Sequence, residues 1–381
     1  MRLIILSSLL FLTLAVEVAA QEDNALPQEA ASNATDVLNM PSKWQKYDDD
    51  LRADFLFAAV ERGDITLART MLADVEKPYY RHNKEGETLL TLAVSNGHYE
   101  MVQWLCEAAV INLKNEAGET PLTLAIKSQQ PAIIEKILER AKADLPNDQD
   151  ETPLMLAVSY GYEPAFIKQL VDKGANPNRL SNGYTPLFRA VVQEQIPTAA
   201  MLVRVGADPS LANDDGSIAL FQAVQQNDAV LAGVLLHRSH QPDTDANWQT
   251  PNGETLLNMA LAQHNTDLLR VLVEKGADPN AVDYLENTPM HLAAERGMTK
   301  AVNLLLVHGA APDPVNIMGS TPVMLAAQRG HNDIAQTLTS AGANPDYRDY
   351  AGVAARDFVS LSYSDPYLQE QVEQVLMTVQ D

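Results

Sequence analysis

Apolar and polar positions alternate along this chain in a phrase that keeps returning. In "NTPMHLAAERGMTKAVNLLLVHGA" (287–310), Thr288-Pro289 predicts the start of a first helix, with Pro at a first-turn place where its missing N–H costs nothing. Gly297 interrupts the pattern. Ala301, Val302, Leu304 and Leu305 then have the i, i+3, i+4 spacing of a second apolar helix face. Gly309, able to take a left-handed conformation, closes the pair.

Aligned on this phrase, the chain reads "TLLTLA" at 88, "TPLTLA" at 120, "TPLMLA" at 152 and "TPLFRA" at 185. It continues with "IALFQA" at 218, "TLLNMA" at 255, "TPMHLA" at 288 and "TPVMLA" at 321. The steps are 32, 32, 33, 33, 37, 33 and 33 residues, and weaker copies stand at 54 ("DFLFAA") and 354 ("AARDFV"). "GANPN" at 174, "GADPS" at 206, "GADPN" at 276 and "GANPD" at 342 recur after the second helices. A period of 33 with two short helices and a turn resembles the ankyrin repeat. The resemblance covers residues 52–381 and implies an all-α solenoid of about ten stacked helix-turn-helix repeats with short hairpin-like tips.

Packing logic agrees. Each helix pair is apolar on both sides and cannot bury itself, so neighbours must stack and share one core. Small residues such as Ala293 and Ala294 let helices approach closely. Gly63, Gly97, Gly161, Gly297 and Gly330 each fall nine places into a copy, where a positive φ is expected. Gln129, Glu194, Asn227 and His264 occupy that place in four other copies, and of these only Asn tolerates the conformation well. Those turns are therefore expected to be remodelled or weaker. A closing helix is expected in "SDPYLQEQVEQVLMTVQ", with Ser364 as N-cap, Pro366 near the start, and Leu368, Val372, Val375, Leu376 and Val379 facing inward.

The first twenty residues read differently. A basic start, an apolar run from Leu3 to Val16, and Val18 and Ala20 before Gln21 predict a signal peptide over 1–20, cut between Ala20 and Gln21. That run would span about 21 Å as a helix, short of the roughly 30 Å hydrocarbon core. Residues 21–51 are acidic and poor in apolar clusters, and read as a flexible linker. The mature protein is expected outside the cytoplasm, in the periplasm or secreted, monomeric and not inserted in a membrane.

Composition narrows the function. The 381 residues carry 27 basic and 50 acidic side chains, a formal charge of −23, which excludes the basic footprint that nucleic acid needs. Aromatics are only 6% of residues, so the interior must be built from Ala, Leu and Val. Cys106 is the single cysteine, so no internal disulfide framework exists, and its neighbours make it a small core hydrophobe. His98, His291, His308 and His331 stand where ankyrin repeats commonly carry histidine and are read as structural.

No elbow, metalloprotease, phosphate-loop or calcium-loop signature is present, so neither catalytic residues nor a cofactor are assigned. The 37-residue step inserts four residues within "HRSHQPDTDANWQTPNGE", between the helices of two copies, placing His237, His240, Asp243 and Asp245 close in sequence. A metal-dependent enzyme using 237–245 is the weaker alternative, because the spacing matches no strong signature. Trp248, in the same loop, reads as an exposed contact anchor.

The tips between copies vary most. "NKEGE" at 83, "NEAGE" at 115, "NDQDE" at 147 and "NDDGS" at 213 are charged, whereas "DYLEN" at 283, "NIMGS" at 316 and "DYRDYAG" at 346 change character by bringing in apolar and aromatic residues. Tyr284, Leu285, Ile317, Met318 and Tyr350 stand where solvated loops carry polar residues. With Trp248 they are the candidate partner-binding residues, and the acidic tips the candidate steering region. The resemblance to exported bacterial ankyrin proteins implies a non-enzymatic scaffold that binds another protein, a periplasmic accessory or inhibitor of a cognate enzyme or toxin. A secreted effector that binds host proteins is the other reading.

Overall fold

The structure, a computed structural model, describes residues 48–73, 75–108, 110–238 and 245–362. The expected signal peptide, all of the linker but its last four residues, the closing helix, His240 and Asp243 lie outside them. Nineteen α-helices occur among the described residues, and β-structure there is confined to isolated bridges such as Ser181–Tyr184 and Arg348–Ala354. None of these helices is long and apolar enough to cross a membrane.

Two compact units are distinguished, residues 1–141 and 142–381. The first holds α1 (Asp49–Glu61), α2 (Ile65–Leu72), α3 (Leu89–Ser95), α4 (Tyr99–Ala108), α5 (Pro121–Lys127) and α6 (Pro131–Leu138). The second begins with α7 (Pro153–Ser159), α8 (Pro164–Asp172), α9 (Pro186–Val192), α10 (Ile196–Arg204), α11 (Ala219–Gln225) and α12 (Ala229–Arg238). It continues through α13 (Leu256–Ala262), α14 (Thr266–Glu274), α15 (Pro289–Glu295), α16 (Thr299–Val307), α17 (Pro322–Arg329), α18 (Asn332–Ser340) and α19 (Ala355–Ser362). Within each unit, first helices pack on first helices of the next copy and second helices on second helices. The core of each unit is aliphatic: Leu105 and Ile137 in the first, and Leu202, Leu235, Leu272 and Leu305 in the second, are fully buried.

Thr opens the first helices because its hydroxyl satisfies a backbone N–H that the first turn leaves free. Thr88, Thr120, Thr152, Thr185 and Thr255 each accept from the N–H three residues on, at 3.0–3.1 Å. Thr91 and Thr123 return the bond to the cap N–H, at 2.8 and 2.9 Å, and complete capping boxes. His291 does this for Thr288: its Nδ1 accepts the Thr288 N–H at 3.1 Å, which leaves Nε2 to donate to the Ser320 carbonyl at 3.1 Å. Burial pushes its pKa below the usual imidazole value, so both bonds are made by the neutral ring.

The turns between paired helices are left-handed, as Gly63, Gly97, Gly161, Gly297 and Gly330 predict, with φ of 71–77°. The expectation that other copies remodel this turn is wrong. Gln129, Glu194, Asn227 and His264 hold φ of 52–61° and keep the same bonds. Glu194 N–H donates to Val191 and Gln195 N–H to Ala190, both at 2.9 Å, as Gly97 and His98 donate to Val94 and Ala93 at 3.0 Å. Two hydrogen bonds and the packing of both helices outweigh a local strain of about 1–2 kcal/mol.

Two of the glycines have a second duty. A Cβ on Gly297 would stand 2.6 Å from His331 of the next copy, and one on Gly63 would stand 3.0 Å from His98. The rings lie over the glycines so that Nε2 reaches the previous copy, 3.2 Å from Glu295 O and 2.7 Å from Glu61 O. Both histidines are thus structural, as is buried His291. Cys106 is 1% exposed, and burial pushes its thiol up to about 11, so it behaves as a core hydrophobe.

Candidate functional site

The tips share one backbone. In a five-residue tip the first N–H donates to the fifth carbonyl and the fourth N–H to the first: Asn83 to Glu87 at 2.9 Å and Gly86 to Asn83 at 3.0 Å. Asn316 to Ser320 at 3.1 Å and Gly319 to Asn316 at 2.9 Å repeat the pattern. The fourth residue has a positive φ, supplied by Gly in most copies and by Asp150 and Glu286 in two. An opening Asn or Asp locks the turn with its side chain. Asp283 Oδ1 accepts Leu285 and Asn287 N–H, both at 2.8 Å, and Asn316 Oδ1 accepts Met318 and Ser320 N–H at 3.0 and 2.9 Å. The tip Ser181–Tyr184 is one residue shorter, with Asn182 and Gly183 at φ 51° and 80°.

Neighbouring tips are stitched through the second residue. Glu116 N–H donates to Gly86 O at 2.8 Å, Asp214 to Gly183 at 3.0 Å and Ile317 to Leu285 at 3.2 Å. In these pairs position two sits on the edge of the preceding tip. In the first unit it is occupied by Lys84 and Glu116. In the second, Asp148 and Asp214 give way to Tyr284, Ile317 and Tyr350.

These side chains stay in solvent. Tyr284 is 72% exposed, Met318 67% and Tyr350 77%, with Ile317 and Leu285 at 44% and 36%. The Ile317–Leu285 bond and the seat of Tyr350 on Gly319 bring the three tips together in a row. A Cβ on Gly319 would lie 2.9 Å from Tyr350 N and 3.0 Å from its ring. Gly319 is thus the cradle of Tyr350, a role that alignment on the Thr-Pro phrase alone did not bring out. Exposed apolar side chains on successive tips are the kind of surface that marks interaction sites.

Trp248 corrects the sequence reading. It is half-buried, its ring 4.7 Å from that of Phe221 on α11 and tilted by 40°, so it packs the inserted loop to the array and does not stand free in solvent. Of the metal candidates, His237 is exposed at the end of α12 and Asp245 is 5% exposed. Among the described residues no three His, Cys, Asp or Glu side chains are grouped to hold a metal.

A second set of loops, after the second helices, carries its own ties. Asn178, Asn247 and Asn280 each donate to a glycine carbonyl of the next copy (Gly206, Gly276, Gly309) at 2.9–3.2 Å. Each also accepts, at 2.7 Å, the N–H two residues beyond that glycine. Asp313 stands in this series with a carboxylate. Its Oδ2 accepts Asn344 N–H at 3.0 Å, while Oδ1 is buried with no hydrogen-bond partner. Burial pushes the Asp313 carboxyl up from its ordinary value, against the bond from Asn344, which lowers it.

The family model for ankyrin repeats matches residues 56–145, 130–213, 201–283 and 281–349. Protein PhlB of Serratia liquefaciens is 35% identical over 111 residues, covering 29% of this chain and 48% of that protein. A putative ankyrin repeat-containing protein of Treponema pallidum is 34% identical over 103 residues, 26% of this chain and 33% of its own. The human transient receptor potential cation channel subfamily A member 1 is 35% identical over 116 residues, 30% of this chain and 10% of the channel. The chain thus spans between a tenth and about half the length of these relatives. Among solved structures, the ankyrin repeat domain of Bcl-3 matches with a TM-score of 0.50 and 26% identity, over 56% of this chain and 99% of that domain. With the helix pairs, the left-handed turns and a family match that runs from 56 to 349, the chain belongs to the ankyrin repeat family as an all-helical repeat solenoid.

Proposed function

We propose that this protein is a non-enzymatic, exported scaffold that binds another protein through its later tips, as a periplasmic accessory or inhibitor of a cognate enzyme or toxin. The ankyrin fold is in general a scaffold for protein interaction. One observation supports the tips as the contact: Tyr284, Leu285, Ile317, Met318 and Tyr350 are exposed on three consecutive tips, the first two tied by the Ile317–Leu285 backbone bond and the third seated on Gly319. Their neighbours earlier in the chain, Glu116 and Asp148, supply the acidic charge that steers encounter with a basic partner.

Export is supported by the apolar run from Leu3 to Val16 and the Val18-x-Ala20 end. Intact mass of the extracytoplasmic protein tests it, and a membrane-retained species still carrying Met1–Ala20 counts against it. The binding claim is tested by affinity capture from envelope extracts with the wild-type chain and with Leu285→Ser/Ile317→Ser in parallel. A protein captured by the first and lost by the second supports the tips. Equal capture by both removes them.

A further inference from the structure

The outer faces of the second helices in the second unit show one break in pattern. A solvent-facing place mid-helix holds Lys168, Arg270, Asn303 and Gln336 in four helices, but Ala200 in α10 and Gly233 in α12. Three residues earlier the four carry Ala165, Asp267, Lys300 and Asp333, where α10 and α12 carry Pro197 and Val230. Four residues later Asp172, Glu274, Val307 and Ser340 are replaced by Arg204 and His237. Two adjacent copies have thus lost long polar side chains from the middle of the face, become apolar at one end, and turned basic at the other.

The consequence is a groove of about 500 Å³ between α10 and α12, with Met201 and Val234 beside the small residues, and Arg204 and His237 at one end. Val230, at the opposite end, is 64% exposed. Among the described residues Arg204 pairs with no carboxylate, and its guanidinium has the Met201 sulfur 3.6 Å away as its contact. Helix C-termini favour cations, which accounts for a basic residue at either position alone. It does not account for the stripped apolar floor that leads up to both.

We propose that this groove docks an acidic amphipathic helix of a partner protein, with its apolar ridge between α10 and α12 and an Asp or Glu carboxylate at Arg204 and His237. Charge selects the occupant: in a chain of net charge −23 this is an apolar trench with a basic end. Length fits as well. From Pro197 to Arg204 a helix rises about 10 Å, which matches apolar side chains at i and i+4 followed by an acid near i+8. The groove is open along its side, so a small carboxylate would keep much of its surface in water, whereas a protein segment covers the trench and excludes water from it. This site is independent of the tips.

The test uses substitutions that make these copies resemble the others. Gly233 has a negative φ, and a Cβ there meets only Val271 of α14, at 3.8 Å, so Gly233→Lys restores without strain the long cationic side chain that Lys168 and Arg270 represent, and improves helix propensity. Arg204→Glu restores the acid that Asp172 and Glu274 represent. A displayed library of helical peptides of about twelve residues is selected on the full chain and counter-selected on Gly233→Lys. Enriched peptides are then measured by fluorescence anisotropy. The expected consensus is apolar at i and i+4 with an acid one turn on. Affinity should fall at least tenfold for Gly233→Lys and for Arg204→Glu, with an undiminished melting temperature and with Leu285→Ser/Ile317→Ser binding as wild type. The proposal is overturned if no Gly233-dependent peptide is enriched, or if the consensus is basic. Saturable binding of decanoate at Val230 and Val234 methyl resonances with no peptide enriched also overturns it, in favour of a small carboxylate.

Discussion

Tips 115–119 and 316–320 have the same backbone and opposite surfaces. Both open with Asn and have Gly fourth, and both close through the same two bonds, Asn115 to Glu119 at 3.0 Å and Gly118 to Asn115 at 2.9 Å in the first. Between these fixed points one shows Glu116 and Ala117 and the other Ile317 and Met318. Positions one and four specify the turn, so positions two and three are free to specify a partner. The difference between an acidic and an apolar region is written in two residues per copy, with no cost to the framework.

Breaking the framework itself should have the largest effect. Ala293 is fully buried, so Ala293→Asp places an unpaired carboxylate in the core and should destabilise by about 3 kcal/mol or more in urea melts. Cys106→Ala, which removes only apolar burial, should cost about 1–2 kcal/mol. Next come the turn locks. Asn115→Ala and Asn316→Ala should each cost about 2 kcal/mol, and by similar amounts, because each side chain both accepts within its own tip and donates to the one before. Unequal costs would mean that the surface residues do contribute to the fold. Leu285→Ser with Ile317→Ser should weaken partner binding at least tenfold, about 1.4 kcal/mol, while melting shifts by no more than about 0.5 kcal/mol. A sharp fall in melting temperature would show that these residues serve packing.

Asp313→Asn should stabilise by about 1 kcal/mol at neutral pH, since the amide can donate where the carboxylate cannot. The sign follows from burial. A carboxyl with a raised folded pKa contributes stability below its unfolded value, 3.8, and loses it as pH rises through the folded one. The gain from Asn is therefore greatest near neutrality and shrinks in acid, which thermal melts from pH 7 down to about 3.5 would show. The smallest effect is expected at the acidic tips. Glu116→Lys and Asp148→Lys should slow association and change its salt dependence in surface-plasmon kinetics, with little change in dissociation.

Much of this molecule is legible in its sequence because its determinants are local. Thr caps, first-turn Pro and the tip Asn and Gly act within four residues, so Thr288, Gly297 and Tyr284 are placed by the repeat alone. Contacts between copies are less legible. The seat of Trp248 on Phe221 spans an inserted loop of irregular length, and an exposed indole was the natural reading. Gln129, Glu194 and His264 look like broken turns in isolation, and only the packing around them shows why the turn survives. The trench at Gly233 does have a sequence signal, the small residues at solvent-facing places, but it appears only when the second helices are aligned with one another.

The histidines that lie over glycines carry a consequence for how such a chain can be rearranged. His331 needs a bare α-carbon in the copy before it, and Gly297 provides one; His98 and Gly63 form the same match. His264 and Glu194, at the glycine place of their own copies, offer a side chain there. A copy that begins its second helix after His331 can follow the first kind of neighbour and not the second. The copies are therefore not interchangeable beads: they join by edge-matching, and a duplication or transplant that ignores the preceding copy would set an imidazole against a side chain. What is inherited as a unit is the seam between two copies, half written in each.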